Sequence, residues 1–298
     1  MYDNIDNMNV LFNIQNFNNI NVQNDCLLNV DPDNNHDFQL PKCINVDPND
    51  LLINQLSATT FSCMSLNISS LKKHFQTLQT EITDHFRPSV IGLCDTKIDS
   101  NIEQLYKLAG YNLITNNNQL NKGSLALYIK SNIPLTIKPE LTFIRNGIES
   151  IFAELTTTNG IIVVALIYKR SIDISTEKFS VVLEPLIFSF DPRVKTYIMG
   201  DFNINLLHHN LSPPVENFIN QMISKNFLPT INRPTRVTPH SCTLIDNIFC
   251  NRVDEVESSG VITTNISDHC PVFAREKFPT LPEDSISINY RVFSDENL

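Results

Sequence analysis

Phe61-Ser-Cys-Met-Ser-Leu66, then Leu71, Phe75, Leu78 and Ile82 at helical spacing, then Val90-Ile-Gly-Leu-Cys94, spell a strand, a helix stopped by Pro88 and a second, continuously apolar strand. The alternation continues downstream. Ile102 to Leu108, 175–189 and 215–226 carry helical patterns. Ser124–Ile129, Leu135–Ile144, Ile151–Thr156, Ile161–Tyr168, Tyr197–Met199, Leu244–Cys250, Glu257–Thr263 and Pro271–Ala274 read as strands. Thr157-Thr-Asn-Gly160 is a hairpin turn between two of them. Strands joined both by hairpins and by helices, in one block without a linker, predict a layered α/β domain with mixed sheets over 59–278.

The two ends differ from this block. Fourteen of the first fifty residues are Asn, among apolar residues that keep neither helical nor strand period, so 1–58 is expected to be a disordered leader. The stretch 279–298 reads as a polar tail. The net charge of −10 sits at these ends: residues 1–50 hold eight Asp and one Lys, 279–298 hold four acids and one Arg, and 51–278 balance at 20 acids and 20 bases. The overall charge therefore does not exclude a nucleic-acid ligand, but it argues for modest, salt-sensitive binding. Seven Cys without a close pair, and no basic-then-apolar amino terminus, predict a reducing, intracellular setting. The apolar run Ile161–Tyr168 is far too short to span a bilayer, so no membrane partner is expected.

Polar residues collect at strand ends, where sheets present ligand-binding and catalytic groups. Asn67 follows the first strand, Asp95 the second and Tyr168 a central one; Gly200-Asp201-Phe202-Asn203 follows Tyr197–Met199. Asn67 also reads as a helix cap. Asp246 and His269 form a plausible carboxylate–imidazole pair. Asp95, Asp201 and Asp268, with the amides of Asn67 and Asn203, offer hard oxygen donors suited to Mg²⁺ or Mn²⁺. Glu149 reads as an exposed strand residue and His208-His209 as a surface pair. Lys169, Arg170, Arg233 and Arg236 are as readily solvated as they are phosphate-binding.

The ordered series Ser-Leu-Asn67, Leu-Cys-Asp95-Thr-Lys, Tyr168, Gly-Asp201-Phe-Asn203, Thr-Leu-Ile-Asp246 and Ser-Asp268-His269 resembles the endonuclease/exonuclease/phosphatase superfamily. Pro234-Thr-Arg, Gly123-Ser-Leu-Ala-Leu-Tyr and Ile-Glu149-Ser-Ile-Phe are similar to the apurinic-like endonuclease domain of jockey-type non-long-terminal-repeat retrotransposons. The resemblance implies a four-layer α/β sandwich, two mixed sheets face to face with helices outside. It implies a Mg²⁺-dependent endonuclease that nicks DNA, with a reverse transcriptase encoded downstream as a partner. A phosphoesterase of the same fold acting on RNA or a small phosphoester, or a decayed remnant acting only as a binding module, are the alternatives.

The same resemblance implies roles. Asp95, helped by Asn67 and Asp268, would hold the metal. Asp201 would activate water and Asn203 would hold the water or the scissile phosphate. His269, oriented by Asp246, and Tyr168 would contact the phosphate. One departure stands out: the family usually carries Glu where this chain has Asp95.

Overall fold

The computed structural model describes residues 41–47, 61–83, 86–98, 103–116, 125–170 and 173–276. Most of the expected leader and the whole expected tail lie outside them. In chain order the strands are β1 (Lys42–Val46), β2 (Ser62–Asn67), β3 (Val90–Cys94), β4 (Tyr111–Thr115), β5 (Ala126–Lys130), β6 (Leu135–Ile137), β7 (Phe143–Arg145) and β8 (Ile148–Thr157). They continue with β9 (Gly160–Lys169), β10 (Lys195–Asp201), β11 (Leu228–Pro229), β12 (Arg236–Thr238), β13 (Ser241–Thr243), β14 (Asp246–Cys250), β15 (Val256–Ile262) and β16 (Val272–Glu276). One sheet runs β1-β15-β16-β2-β3-β5-β4; the other runs β11-β14-β10-β9-β8-β6, with β7 paired to β8. Both mix parallel and antiparallel neighbours, as expected.

Burial on both faces of the central strands produces the layers. In β2, Met64 and Leu66 join Leu71, Leu78 and Ile82 in a core beneath helix α1 (Leu71–Thr77), which a π turn extends over Leu78–Thr83. The alternate residue Cys63 points into the core between the sheets. On the far side of the second sheet, Phe202 packs edge-on to Phe179 of α2 (Thr176–Phe188) and tilted against Phe218 of α3 (Pro213–Ile223), and Phe249 packs edge-on to Phe218. Helix, sheet, sheet, helix is the four-layer sandwich. Among the described residues, no helix is long and apolar enough to cross a membrane.

Several elements differ from the sequence reading: β4, β11, β12 and β13 are strands it did not mark. Leu135–Ile144 is broken into β6, a 3₁₀ turn at Pro139–Leu141 and β7, because Pro139 has no N–H to give a ladder. The helix expected from Ile102 shrinks to a 3₁₀ turn at Glu103–Tyr106. Lys42–Val46, within the expected leader, is an edge strand parallel to β15. It docks because Gly260 has no side chain: a Cβ there would lie 2.2 Å from the Ile44 carbonyl oxygen.

The approach of β9 to β10 depends on another glycine. Gly200 has φ +145°, and a Cβ on it would sit 1.8 Å from the Ile167 carbonyl oxygen. Gly200→Ala is expected to force these central strands apart and lower stability by roughly 2–4 kcal/mol, measured by urea unfolding; a loss below about 0.5 kcal/mol would contradict this packing.

Candidate active site

The register of the second sheet makes Glu149, Tyr168, Asp201 and Asp246 successive partners across β8, β9, β10 and β14. Ladder partners project to the same face. That face is the inner one, because Leu166 and Met199, two residues back along β9 and β10, crowd Gly92 of the opposite sheet. A row of three acids and a phenol thus faces the ends of β2 and β3.

Asp201 is almost completely buried, with 1% of its surface exposed. Asn67 of the first sheet donates its Nδ2 to Asp201 Oδ2 at 2.8 Å. From the second sheet, Asn203 donates its backbone N–H to Oδ1 at 2.9 Å and its Nδ2 to Oδ2 at 3.2 Å. Asn203 holds this pose with φ +46°, a backbone conformation that Asn tolerates, and its Nδ2 also donates to the Lys169 carbonyl at 2.8 Å. Asn67 caps no helix: its Oδ1 accepts from the Ser69 N–H at 3.0 Å, and α1 starts two residues later. Burial, then the neighbouring Asp246 charge, raise the Asp201 carboxyl to about 7.

His269 Nδ1 lies 2.8 Å from Asp246 Oδ2. Burial alone would lower the imidazole, but the Asp246 carboxylate outweighs it and holds His269 at about 9, so the ring is an imidazolium at neutral pH. The Thr235 hydroxyl donates to the same Asp246 oxygen at 2.7 Å while accepting the backbone N–H of Asp246 at 3.1 Å. Thr235 was not among the candidate residues; its only trace in the sequence is the Pro234-Thr-Arg motif. Tyr168 is pushed above the ordinary phenol range by burial and then by Asp95 and Asp201, so it remains a hydrogen-bond donor.

The remaining acids each carry a cation. Asp95, in the left-handed region at φ +53°, pairs with Lys97 at 3.0 Å; burial raises its carboxyl and Lys97 opposes the rise. Asp268 pairs with Arg236 at 2.6 Å. Burial would raise Asp268, but the hydrogen bond from Arg236 and the His269 charge bring it below the usual carboxylate range. Glu149 corrects the sequence reading: it is fully buried, because β8 runs in the middle of its sheet and the register turns Glu149 inward. Arg170 and Asn116 hold it.

Asp201, Asp246 and His269 each bring a ligand atom within 4.8 Å of the others, a spacing that a single metal ion could bridge. Asp246 Oδ1 is buried without a hydrogen-bond partner, an acceptor that a cation would satisfy. Two carboxylates suit a hard divalent ion, Mg²⁺ or Mn²⁺, whereas His269 would have to give up its proton to join them. The donors named from the sequence are engaged separately: Asn67 with Asp201, Asp95 with Lys97 and Asp268 with Arg236.

A sequence model of the endonuclease/exonuclease/phosphatase family matches residues 64–269. No curated protein matches the chain. Among solved structures, the endonuclease domain of TRAS1, a telomere-specific non-LTR retrotransposon, is 14% identical. It superposes with a TM-score of 0.57 over 74% of this chain and 100% of that one. D. rerio TDP2 complexed with single strand DNA product is 14% identical, with a TM-score of 0.55 over 74% of this chain and 100% of that one. An AP endonuclease from Archaeoglobus fulgidus is 12% identical, with a TM-score of 0.53 over 73% and 100%. At these identities the likeness is one of fold.

The titrations set a pH dependence. Asp201 rises from 3.8 to about 7 and His269 from 6.5 to about 9 on folding. In both the folded value is the higher, so each stabilises fully below its unfolded value and loses that contribution as pH rises through the folded one. In chelator, thermal stability is expected to fall between pH 5 and 9, and Asp201→Asn to flatten the decline below pH 7. A midpoint that stays level or rises across that range in the parent would contradict it.

Proposed function

The chain belongs to the endonuclease/exonuclease/phosphatase family, and from that membership and the geometry at its strand ends we propose that it is a metal-dependent endonuclease that nicks one strand of DNA. The observation that carries the reading is the contrast among its acids. Asp95, Asp246, Asp268 and Glu149 each pair with a cation, whereas Asp201 is hydrogen-bonded by two neutral amides and rises to about 7. A carboxylate poised there is suited to general-base work at neutral pH.

In this reading Asp201 takes the proton of the attacking water while the water oxygen bonds to phosphorus and the bond to the 3′-oxygen breaks, and the departing 3′-oxygen takes a proton from solvent water, leaving a 3′-hydroxyl and a 5′-phosphate. Asn67 and Asn203 keep the carboxylate aimed. The His269 imidazolium, steadied by Asp246 and Thr235, donates to a non-bridging phosphate oxygen and offsets the charge that grows there. Tyr168 donates its phenol hydrogen to the same phosphate. A divalent ion at Asp246 Oδ1, the buried acceptor left without a partner, would supply further charge neutralisation at the phosphate. Neighbours described as a retrotransposon endonuclease, an AP endonuclease and a DNA-bound TDP2 support DNA as the substrate.

Supercoiled plasmid incubated with the chain and Mg²⁺ or Mn²⁺ is expected to relax to nicked circles, with Asp201→Ala slower by at least about 10²-fold. Equal rates, or no nicking by the parent, would overturn the proposal, and turnover of a small phosphoester without nicking would transfer the activity to that substrate. Asp95→Glu, which restores the family's usual acid, is expected to raise the nicking rate at limiting metal.

A further inference from the structure

The acids of the site outnumber what a phosphodiester, itself an anion, would tolerate unless cations are placed among them. Three exposed or half-exposed cations are placed there, each anchored to an acid: Lys97 on Asp95, Arg236 on Asp268 and Arg170 on Glu149. The third pair is unlike the others. Asp95 and Asp268 have 22% and 44% of their side chains exposed, whereas the Glu149 side chain has none.

Arg170 follows β9 directly, two residues after Tyr168, and its backbone N–H donates to the Gly147 carbonyl at 2.8 Å. Its Nε donates to Glu149 Oε1 at 2.9 Å, and one terminal nitrogen donates to the same oxygen. The other Glu149 oxygen accepts from Asn116 Nδ2 at 3.1 Å. Asn116 is itself buried, and its Oδ1 accepts the Leu125 N–H at 3.3 Å. Asn116 follows β4 of the first sheet and Glu149 lies in β8 of the second, so this chain of hydrogen bonds crosses between the sheets as the Asn67–Asp201 bond does.

Two edges of the guanidinium differ. One is spent on Glu149. The other terminal nitrogen lies 3.8 Å from the Asp173 carboxylate, too far for a hydrogen bond, and the side chain is 37% exposed. The group is also close enough to Asp95 to interact with its charge. A buried ion pair contributes little stability compared with apolar residues of the same volume. What it does supply is a guanidinium fixed in orientation at the mouth of the site, and such a planar fork matches phosphate oxygens.

We propose that Arg170, locked by Glu149 and Asn116, grips a backbone phosphate of duplex DNA beside the one that is cut. The assignment rests on the endonuclease reading. Arg170 touches substrate, while Glu149 and Asn116 are positioning residues. The contact is to backbone, so it carries register and affinity and reads no base.

The test is the salt dependence of duplex DNA binding by the full chain, in an Asp201→Ala background so that the DNA stays intact. Glu149→Gln with Arg170→Gln together leave the net charge unchanged and keep a hydrogen-bonding amide pair, so the long-range field is preserved while the local cation is lost. The plot of log affinity against log salt is expected to flatten by about 0.9, one phosphate contact, and binding at fixed salt to weaken about tenfold. Arg170→Lys is expected to keep the slope and to bind more weakly than Arg170, because it retains the charge without the fork.

An unchanged slope in the double variant, with the parent binding DNA, overturns the assignment and leaves the endonuclease reading standing. A merely structural pair would lower the thermal midpoint and leave the slope alone. If the double variant does not fold, Arg170→Gln alone decides by the same slope. Failure of the Asp201→Ala parent to bind duplex DNA at any salt overturns the Arg170 contact, and plasmid nicking by the unmodified chain decides the endonuclease reading separately.

Discussion

Asp201 is a carboxylate with almost no exposed surface, held between an amide from each sheet. Burying an ionisable group this deeply costs several kcal/mol unless hydrogen bonds replace water, and here Asn67 and Asn203 replace it. The bond from Asn67 requires the ends of β2 and β10 to stand opposite each other, which fixes how the two sheets are stacked. The close approach of β9 to β10 at Gly200 sets the level at which Tyr168 stands beside Asp201. The arrangement of the remaining polar groups follows from these two constraints.

From that point the electrostatics separate into two kinds. Acids that meet a cation act as anchors: Asp246 for His269, Asp268 for Arg236, Glu149 for Arg170 and Asp95 for Lys97. The acid that meets only amides becomes the one whose protonation changes near neutral pH. The same carboxylate chemistry therefore serves as scaffold or as base according to its partner. The unpartnered Asp246 Oδ1 belongs to neither kind, and it marks where added positive charge would be accepted.

Legibility varied by element. The motif Gly-Asp201-Phe-Asn203 is local and could be read from the chain as an acid and an amide after a strand; the positive φ of Gly200 and the burial of Asp201 came only with the structure. His269 and Asp246 were legible as a pair of types, though 23 residues separate them. Glu149 was misread as exposed, since a single charged residue in an apolar strand looks alike whether it faces water or a partner; only the positions of Asn116 and Arg170 distinguish the cases. Thr235 was passed over because a threonine beside a proline has many uses. The short strand β1 was hidden by its Asn-rich surroundings, and its docking depends on Gly260 more than two hundred residues away.

The chain by itself determined which residues are apolar and at what period, and hence that strands and helices would alternate in a layered domain with polar groups at the strand ends. Those properties are local, set by side-chain chemistry and backbone preference over a few residues. Tertiary structure decided the cross-strand register that lines up Glu149, Tyr168, Asp201 and Asp246, and the partner each acid received. Register and pairing are settled by packing between segments far apart in sequence, where a shift of one residue would turn every side chain in the row to the other face of the sheet.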